Sequence, residues 1–315
     1  MSDLNITALL PIRDGARFVK SIRESIEKNL DKNDEIIVIN DGSTDLTGKL
    51  INEWRSENSQ VKLIDTEGVG IVKALNLGLS QSNNKWIARF DADDTYAPNR
   101  VKLQRELINN ENVAVFCDYS LYTDAKKKIG TLPSAIYSQA VSVSLMSSQR
   151  TPHPGVLYNG EAVKEVGSYR DSDFPAEDLS LWLRLSRIGK LVGVPQDLLR
   201  YKLSSKSISG TQREFAVQKK HQLLQEISIN KSDFDWCIEN WEELFQKYDK
   251  FELPYERKLL FIYDLFKSAK HLDLRVNQAN KVLLNGILKS DYYLALSNIA
   301  KTKFLKKLNR IGFFP

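Results

Sequence analysis

Cysteine and histidine are scarce in this sequence, which has 2 cysteines and 3 histidines among 315 residues. Cys117 and Cys237 lie far apart, so they cannot form the disulfide framework of a small secreted protein or a cysteine-based metal cluster. Long apolar runs are absent too: no stretch approaches about 18 consecutive apolar residues, so no transmembrane helix is expected. The apolar segment at 6–10 is short and follows Asp3, so it is not expected to be a signal peptide. A reducing cytoplasm is the expected compartment.

Two glycine-rich nucleotide motifs are also missing. No GxGxxG follows any predicted strand, and the P-loop pattern does not occur. These absences argue against a dinucleotide-binding domain and against a P-loop nucleoside triphosphatase. Nucleic-acid binding would need a broad basic face with interleaved aromatic residues, which the body of the chain does not offer.

Basic charge is concentrated at the end of the chain, although the formal net charge is only +5. Residues 301–315 carry five basic side chains and no acidic one. Such an amphipathic tail can lie on the anionic inner face of the cell membrane as a peripheral contact. The alternative is a solvated helix end whose apolar side packs on the core. Both interpretations stay open.

Apolar segments with strand and helix character alternate through the first part of the chain. Strands are predicted at residues 6–12, 35–39, 61–64, 86–91 and 113–117, and helices at 16–30, 46–54, 70–79 and 98–107. Alternation with short loops predicts an α/β fold with a mostly parallel sheet flanked by helices.

The pattern changes after Leu121. A hairpin is predicted at 122–132, a helix at 133–147, a helix that opens at Glu177-Asp178, and strands at 156–158, 191–194 and 198–201. Beyond Gly210 only helices are expected, at residues 211–230, 233–248, 254–271, 274–288 and 291–309. The predicted division is therefore a first domain at 1–210 and a helical C-terminal extension at 211–315.

An acidic cluster follows the apolar run Trp86-Ile87-Ala88, in the stretch Arg89-Phe90-Asp91-Ala92-Asp93-Asp94. Ligands collect at the carboxyl ends of strands in open α/β sheets. Three carboxylates so close together repel one another unless a cation or hydrogen-bond donors compensate. Oxygen ligands suit Mg²⁺ or Mn²⁺. The alternative is an acidic turn in which Asp94 caps the next helix, or supports the site without contacting the cation itself.

A second polar stretch, Asn40-Asp41-Gly42-Ser43-Thr44-Asp45, follows the strand at 35–39. Backbone N–H groups at a helix N-terminus form a ready anion site. Asp41 lies at the strand end, where it could accept hydrogen bonds from a ribose hydroxyl or a base N–H. Asp45 is better explained as a helix N-terminal residue favoured by the helix dipole.

Taken in order, four motifs resemble glycosyltransferase family 2, whose members are inverting enzymes of the GT-A fold that use nucleotide-diphosphate sugars. At the first motif, Arg13 and Asp14 replace the family's usual Tyr-Asn. The resemblance covers residues 4–210, and its motifs are Leu10-Pro11-Ile12-Arg13-Asp14-Gly15, Ile39-Asn40-Asp41-Gly42-Ser43-Thr44-Asp45, Gly70–Gly78 with Ala88–Asp94, and Glu177-Asp178-Leu179.

The resemblance implies a role for each matching residue. Asp41 would bind the nucleoside, Asp91 its ribose, and Asp93 an Mg²⁺ or Mn²⁺ ion that bridges the two phosphates. Arg89 would counter the acidic cluster or touch phosphate. The expected donor-binding set is Pro11, Arg13, Asp41, Lys73, Arg89, Asp91 and His153.

Catalysis is assigned by the same resemblance to Asp178 as the base for the acceptor hydroxyl, with Glu177 positioning the acceptor. Acidic residues also belong in the first turn of any helix, which is the alternative for this pair. His153 lies between two prolines, and either a diphosphate or metal contact or a structural role in the turn fits it.

The expected enzyme is a metal-dependent glycosyltransferase of the hexosyltransferase type. Its donor would be a UDP-sugar, and its acceptor a polysaccharide or a lipid-linked glycan. Residues 212–215 do not match the Gln-x-x-Arg-Trp motif of processive synthases, so one sugar per encounter is expected. The rival hypotheses are a sugar-nucleotide nucleotidyltransferase and a non-catalytic nucleotide-sugar-binding protein.

Overall fold

A computed structural model describes residues 4–147, 149–203, 212–226 and 231–271. Its first part is the predicted alternation of strands and helices. β1 lies between β2 and β4 and runs parallel to both, and β3 continues the parallel arrangement beyond β2. The elements are β1 (Ile6–Ile12), α1 (Ala16–Glu27), β2 (Glu35–Asp41), α2 (Thr47–Glu57), β3 (Val61–Thr66), α3 (Ile71–Gln81) and β4 (Trp86–Arg89).

Every residue of β1 is buried, because helices cover both faces of the sheet. α1 contributes Val19, Ile22 and Ile26 to one apolar cluster, and α3 contributes Leu75 and Leu79 to the other. Burying an aliphatic side chain of this size stabilises the fold by about 1.5–3 kcal/mol. The two layers of helices fix the strand ends that carry the polar motifs.

The second part of the sheet curls around the first. The strand order is β3-β2-β1-β4-β8-β6-β9-β5, and β7 pairs with β6. β6 and β9 are parallel, whereas β8 lies antiparallel between β4 and β6, and β7 and β5 pair antiparallel with β6 and β9. The mostly parallel sheet flanked by helices is confirmed. The elements are β5 (Thr95–Tyr96), α4 (Arg100–Arg105), β6 (Asn112–Thr123), β7 (Lys128–Leu132), α5 (Ser138–Met146), β8 (Leu157–Asn159), α6 (Gly160–Glu165), α7 (Glu177–Leu185) and β9 (Lys190–Leu203).

The prediction of two strands at 191–194 and 198–201 was wrong, because β9 is one continuous strand. Its register against β6 passes from Cys117 opposite Val194 to Asp118 opposite Asp197. The two residues between Val194 and Asp197 are accommodated as a bulge. Pro195, which has no N–H to donate, is tolerated there without ending the strand.

Among the described residues beyond 212, the regular secondary structure is entirely helical. The helices are α8 (Arg213–Glu226), α9 (Lys231–Glu239), α10 (Trp241–Tyr248) and α11 (Pro254–His271). The single helix predicted at 233–248 is two helices, because the backbone leaves helical geometry at Asn240, where φ is −109° and ψ is 16°. The helices predicted at 274–288 and 291–309, and the basic tail at 301–315, lie outside the described residues.

These C-terminal helices are joined to the sheet by buried ion pairs. Arg257 of α11 binds Asp118 of β6, and Asp264 of the same helix binds Arg150. All four side chains are at most 3% exposed. Phe245 of α10 also shares one apolar cluster with residues of α5 and α7. The domain boundary at residue 210 stays a prediction. The residues before and after it contribute to one apolar cluster and form buried ion pairs with each other.

Two further expectations concern membranes and sulfur. Within the described ranges, no helix combines the length and the apolar character needed to cross a bilayer. Cys117 and Cys237 are both buried and free. Burial raises the pKa of the Cys117 thiol to about 12, so this side chain behaves as an apolar core residue.

Candidate active site

The acidic turn at residues 91–94 starts at the carboxyl end of β4, beside the end of β1. Phe90 N–H donates to the carbonyl of Leu9 at 3.0 Å, so the chain stays attached to the sheet just before the turn. Asp91 N–H donates to the Tyr96 hydroxyl at 2.6 Å. The three carboxylates are therefore held together on a backbone fixed at both ends.

Arg89 supplies positive charge beneath this turn. Its side chain is 3% exposed, and its Nη1 lies 2.5 Å from Oδ1 of Asp91. Burial lowers the pKa of Arg89, but the neighbouring Asp91 carboxylate raises it enough to leave a net increase. The guanidinium is therefore charged at neutral pH, and its position fits the interpretation that it offsets the acidic cluster.

Asp93 and Asp94 differ in their surroundings. The pKa of Asp93 is raised by burial and by the charge of Asp91, while Lys202 and Arg17 lower it. Asp94 is 5% exposed, and its Oδ1 accepts a 2.7 Å hydrogen bond from the backbone N–H of Lys202. Burial and the two neighbouring carboxylates raise the pKa of Asp94 well above its ordinary value.

Asp94 does not cap a helix, so that interpretation was wrong. The next helix, α4, begins at Arg100 and is preceded by Asn99. Asp94 instead ties the acidic turn to β9, through a strand residue that follows it by 108 positions. Asp94 thus serves the structure of the turn.

Asp41 lies at the end of β2 and holds the loop between β3 and α3. Its Oδ1 accepts from the Thr66 hydroxyl at 2.6 Å and from Val69 N–H at 2.7 Å. Its Oδ2 accepts from Gly70 N–H at 3.0 Å. Carboxylate oxygens have further lone pairs, so the predicted nucleoside contact is compatible with these bonds.

The other predicted donor-side residues surround this loop. Pro11 is buried in β1 opposite Ile39. The Arg13 side chain is 58% exposed, and Lys73 is exposed in the first turn of α3. Asp45 accepts from Thr47 N–H at 2.9 Å, at the start of α2, which confirms its expected place at a helix N-terminus.

Glu177 and Asp178 open α7 on the other side of the acidic turn. Glu177 is 8% exposed, and its Oε2 has no hydrogen-bond partner among the described residues. Burial and the adjacent Asp178 raise the pKa of Glu177 to about 7, and the charges of Arg89 and Asp91 also act on it. The charges of Arg89 and Asp91 therefore act on Glu177, which links the two predicted parts of the site electrostatically.

Asp178 is held by two donors. Its Oδ1 accepts from Leu179 N–H at 2.6 Å, and its Oδ2 accepts from Nε2 of Gln149 at 3.3 Å. Burial raises the pKa of Asp178, while these two hydrogen bonds and the charge of Lys220 lower it. The net rise makes the carboxylate a stronger proton acceptor than an ordinary aspartate.

Comparison with known proteins shows which family the sequence around this site resembles. The model of the family described as "Glycosyl transferase family 2" matches residues 14–159. Residues 14–159 therefore form a glycosyltransferase family 2 domain. The matched range contains Asp41, Asp91 and Asp93, whereas Glu177 and Asp178 lie beyond it.

Curated relatives of this glycosyltransferase carry related names. An "Uncharacterized glycosyltransferase" of Haemophilus influenzae is 25% identical over 97% of this chain and 98% of its own length. The Escherichia coli "UDP-Gal:alpha-D-GlcNAc-diphosphoundecaprenol beta-1,3-galactosyltransferase" is 28% identical over 55% of this chain and 64% of its own length.

Solved structures show the same fold at low identity. Staphylococcus aureus TarS (residues 1–349) in complex with UDP-GlcNAc aligns with a TM-score of 0.59 and 13% identity, over 94% of this chain and 91% of that one. The mannosyltransferase PcManGT from Pyrobaculum calidifontis, in complex with GDP-Man and Mn²⁺, gives 0.51 and 15%, over 96% and 87%. The predicted family and GT-A fold are confirmed.

The acidic turn of this glycosyltransferase suits a divalent cation. Burial, and after it the charge of Asp91, raise the pKa of Asp93, and a bound cation would favour its charged form. In the part of the chain that the structure describes, no group of three or more His, Cys, Asp or Glu side chains forms a complete cage. One or two carboxylates completed by substrate phosphates are the usual environment of Mg²⁺. Asp93, with Asp91 beside it, fits that environment.

His153 lies in a 3-10 turn at His153–Gly155, with its ring packed against Tyr169 and Trp182. Its Nε2 lies 2.9 Å from the Tyr169 hydroxyl. Burial and the charge of Arg89 lower its pKa well below the ordinary value, so the imidazole is neutral. The structure thus gives His153 a packing role in the turn, and its diphosphate contact stays a prediction.

Several side chains at the glycosyltransferase site could not be found from the sequence. Lys202 and Arg17 place positive charge near Asp93, and Gln149 reaches Asp178. None belongs to a recognisable local motif. Only the folded structure identifies them, because β9, α1 and the segment after α5 come from distant parts of the chain.

Replacing Gly42 by alanine is expected to cost about 2 kcal/mol or more in free energy of unfolding. Gly42 has φ +68°, and an added Cβ would lie 2.6 Å from the backbone nitrogen of Gly68. Gly70→Ala is the matched control, because Gly70 has φ +87° but open space around the Cβ. Urea unfolding should show a clearly larger loss for Gly42→Ala. Equal losses would mean that the contact with Gly68 is unimportant.

Proposed function

We propose that the protein transfers a single sugar from a nucleotide-diphosphate sugar to an acceptor hydroxyl, with inversion at the anomeric carbon and with a divalent cation. The observation that carries this proposal is the electrostatic link that Arg89 makes between two acidic groups. Arg89 is paired with Asp91 of the donor-side turn, and its charge also acts on Glu177 of the acceptor-side pair. The nucleotide sugars bound by TarS and PcManGT support the class of donor.

On the donor side, Asp41 and Asp91 would hold the nucleoside and its ribose at the carboxyl ends of β2 and β4, the two strands that flank β1. Asp93, with Asp91 beside it, would hold Mg²⁺ or Mn²⁺. A cation bound there would neutralise charge on the departing diphosphate. Arg89 keeps Asp91 in place and prevents the acidic turn from opening under its own repulsion.

On the acceptor side, Asp178 would take the proton from the acceptor hydroxyl as its oxygen bonds to the anomeric carbon. The bond between that carbon and the diphosphate oxygen breaks in the same displacement, so the configuration inverts. Asp178 ends the step protonated. Glu177, whose pKa is raised to about 7, is partly protonated near neutral pH and can donate a hydrogen bond to the acceptor or accept one from it.

The acceptor is proposed to be a glycan or a lipid-linked sugar. The Escherichia coli relative is named for a lipid-linked acceptor, a sugar diphosphate on undecaprenol. The donor is proposed to be a UDP-sugar on the same ground, with a GDP-sugar as the second possibility from PcManGT. Transfer of one sugar per encounter remains part of the proposal.

A thermal-shift panel tests this function directly. UDP-N-acetylglucosamine, UDP-galactose, GDP-mannose and dTDP-glucose are each added with Mn²⁺ or with EDTA. At a hundredfold excess over Kd, one donor should stabilise the chain by about 2.7 kcal/mol, a rise in Tm of roughly 5 °C, in the Mn²⁺ arm only. No response to any donor would refute the proposal. Stabilisation by a nucleoside triphosphate with a sugar 1-phosphate, and by no diphosphate sugar, would favour a nucleotidyltransferase.

A further inference from the structure

The side chain of Gln149 reaches the proposed base from outside its helix. Gln149 Nε2 donates to Oδ2 of Asp178 at 3.3 Å, while the other carboxylate oxygen is bound by Leu179 N–H within α7. One donor fixes the carboxylate to its own helix, and the other fixes its rotation. Gln149 is therefore placed to decide where the second oxygen of Asp178 points.

The backbone of Gln149 is held in an unfavourable conformation. Its φ is +47°, in the left-handed region that side-chain-bearing residues seldom adopt, at a cost of about 1–2 kcal/mol. Its N–H donates to the carbonyl of Ser144 at 2.7 Å, at the end of α5. A residue in this conformation persists only when its surroundings fix it.

Those surroundings come from the C-terminal helices. Ser147 and Arg150, on either side of Gln149, both bind the carboxylate of Asp264 on α11. Lys220 of α8 donates to the carbonyl of Ser147 at 2.7 Å. Arg150 also donates to the carbonyl of Pro133 at 2.6 Å. Ser147, Arg150 and Asp264 are each at most 9% exposed, so these bonds are shielded from water.

We propose that Gln149 is a positioning residue for the Asp178 carboxylate, and that Asp264 and Lys220 of the helical part act through Ser147 and Arg150 to hold it there. This inference rests on the proposed function, since it assigns the helices a part in the acceptor half of that site. In this proposal the described helices act on the base through Ser147 and Arg150.

The charged groups that face Asp178 are Glu177 on its own helix and Lys220 on α8. Gln149 adds a neutral donor to Asp178. Removing that donor takes away a hydrogen bond to the ionised carboxylate, so the pKa of Asp178 rises and the carboxylate gains rotational freedom. A role confined to stability would lower Tm without moving this pKa.

The test is a carboxyl ¹³C titration of the full chain labelled at aspartate, in which Asp178→Asn assigns the Asp178 signal. Gln149→Leu removes the amide donors and keeps the side chain at a similar size. Leucine has the same difficulty as glutamine in adopting the positive φ of this position. The pKa of Asp178 should rise in Gln149→Leu. Turnover of the donor selected by the thermal panel, measured with Mn²⁺ as nucleoside diphosphate release to water, should fall about tenfold at unchanged donor KM.

Two matched variants separate positioning from folding. In Asp264→Asn, a single carbonyl oxygen replaces the two oxygens shared by Ser147 and Arg150, and the pKa of Asp178 should again rise. Asp118→Asn damages the other buried ion pair of α11, with Arg257, and should leave that pKa unchanged. If Asp264→Asn does not fold, Ser147→Ala removes one of its two bonds and gives the same readout.

A wild-type pKa of Asp178 in folded Gln149→Leu overturns the inference. A rise in Gln149→Leu without one in Asp264→Asn or Ser147→Ala overturns the part assigned to the helices. Failure of the proposed function gives a different result: the wild-type chain would then bind no nucleotide sugar, whether or not the titration of Asp178 depends on Gln149.

Discussion

Asp178→Asn is expected to lower sugar transfer about a thousandfold while leaving donor binding intact. Asparagine keeps the size of the side chain, and its carbonyl oxygen can still accept one of the two hydrogen bonds that Asp178 receives. It cannot take a proton from the acceptor hydroxyl. Nucleoside diphosphate release measures transfer, and titration calorimetry with the donor and Mn²⁺ measures binding.

Glu177→Gln is the control for this experiment. Glu177 is assigned to positioning rather than proton transfer, so its amide analogue should lose about tenfold, far less than Asp178→Asn. Should Asp178→Asn retain transfer while Glu177→Gln abolishes it, the two roles are exchanged. Should neither variant lose transfer, the base lies elsewhere in the chain.

Asp93→Asn should remove the Mn²⁺-dependent rise in Tm of roughly 5 °C that a matching donor produces. The substitution also has an effect of opposite sign. Burial and Asp91 raise the pKa of Asp93, so its charged form is disfavoured in the folded chain. A neutral side chain should therefore raise the Tm of the free protein slightly. If the free variant has a higher Tm and no longer responds to Mn²⁺ and donor, then the metal site is lost while the fold is kept.

Asp94→Asn is the neighbouring control. Its carbonyl oxygen can still accept the hydrogen bond from Lys202 N–H, so the turn keeps its tie to β9. The Mn²⁺-dependent response should remain in this variant. A response lost in Asp94→Asn and kept in Asp93→Asn would transfer the metal site to Asp94.

The strand ends and their acidic side chains could be predicted because they depend on local pattern. Apolar runs define β2 and β4, and parallel strands place their carboxyl ends on the same side of the sheet, so the position of Asp41 and Asp91 on that side follows from topology. The first turn of α7 was predictable for the same reason, since Glu177 and Asp178 directly precede an amphipathic helix.

What could not be predicted depends on pairing over long distances. The hydrogen bond from Lys202 to Asp94 spans 108 positions. No local preference distinguishes that role from a helix cap, and none indicates that Gln149 faces Asp178. The continuity of β9 through Pro195 is a similar case, because the bulge forms only against β6. In each instance a tertiary contact overrode a reasonable local interpretation.

The buried ion pairs of α11 have a consequence for the order of events during synthesis. Asp118 precedes Arg257 by 139 positions, and Arg150 precedes Asp264 by 114. At translation rates of about 5–20 residues per second, each waits on the order of ten seconds for its partner. Burying either charge alone costs about 3–5 kcal/mol, so full burial of these residues is unfavourable until α11 has been synthesised. The synthesis of α11, the last described helix, thus completes the buried ion pairs of Asp118 and Arg150.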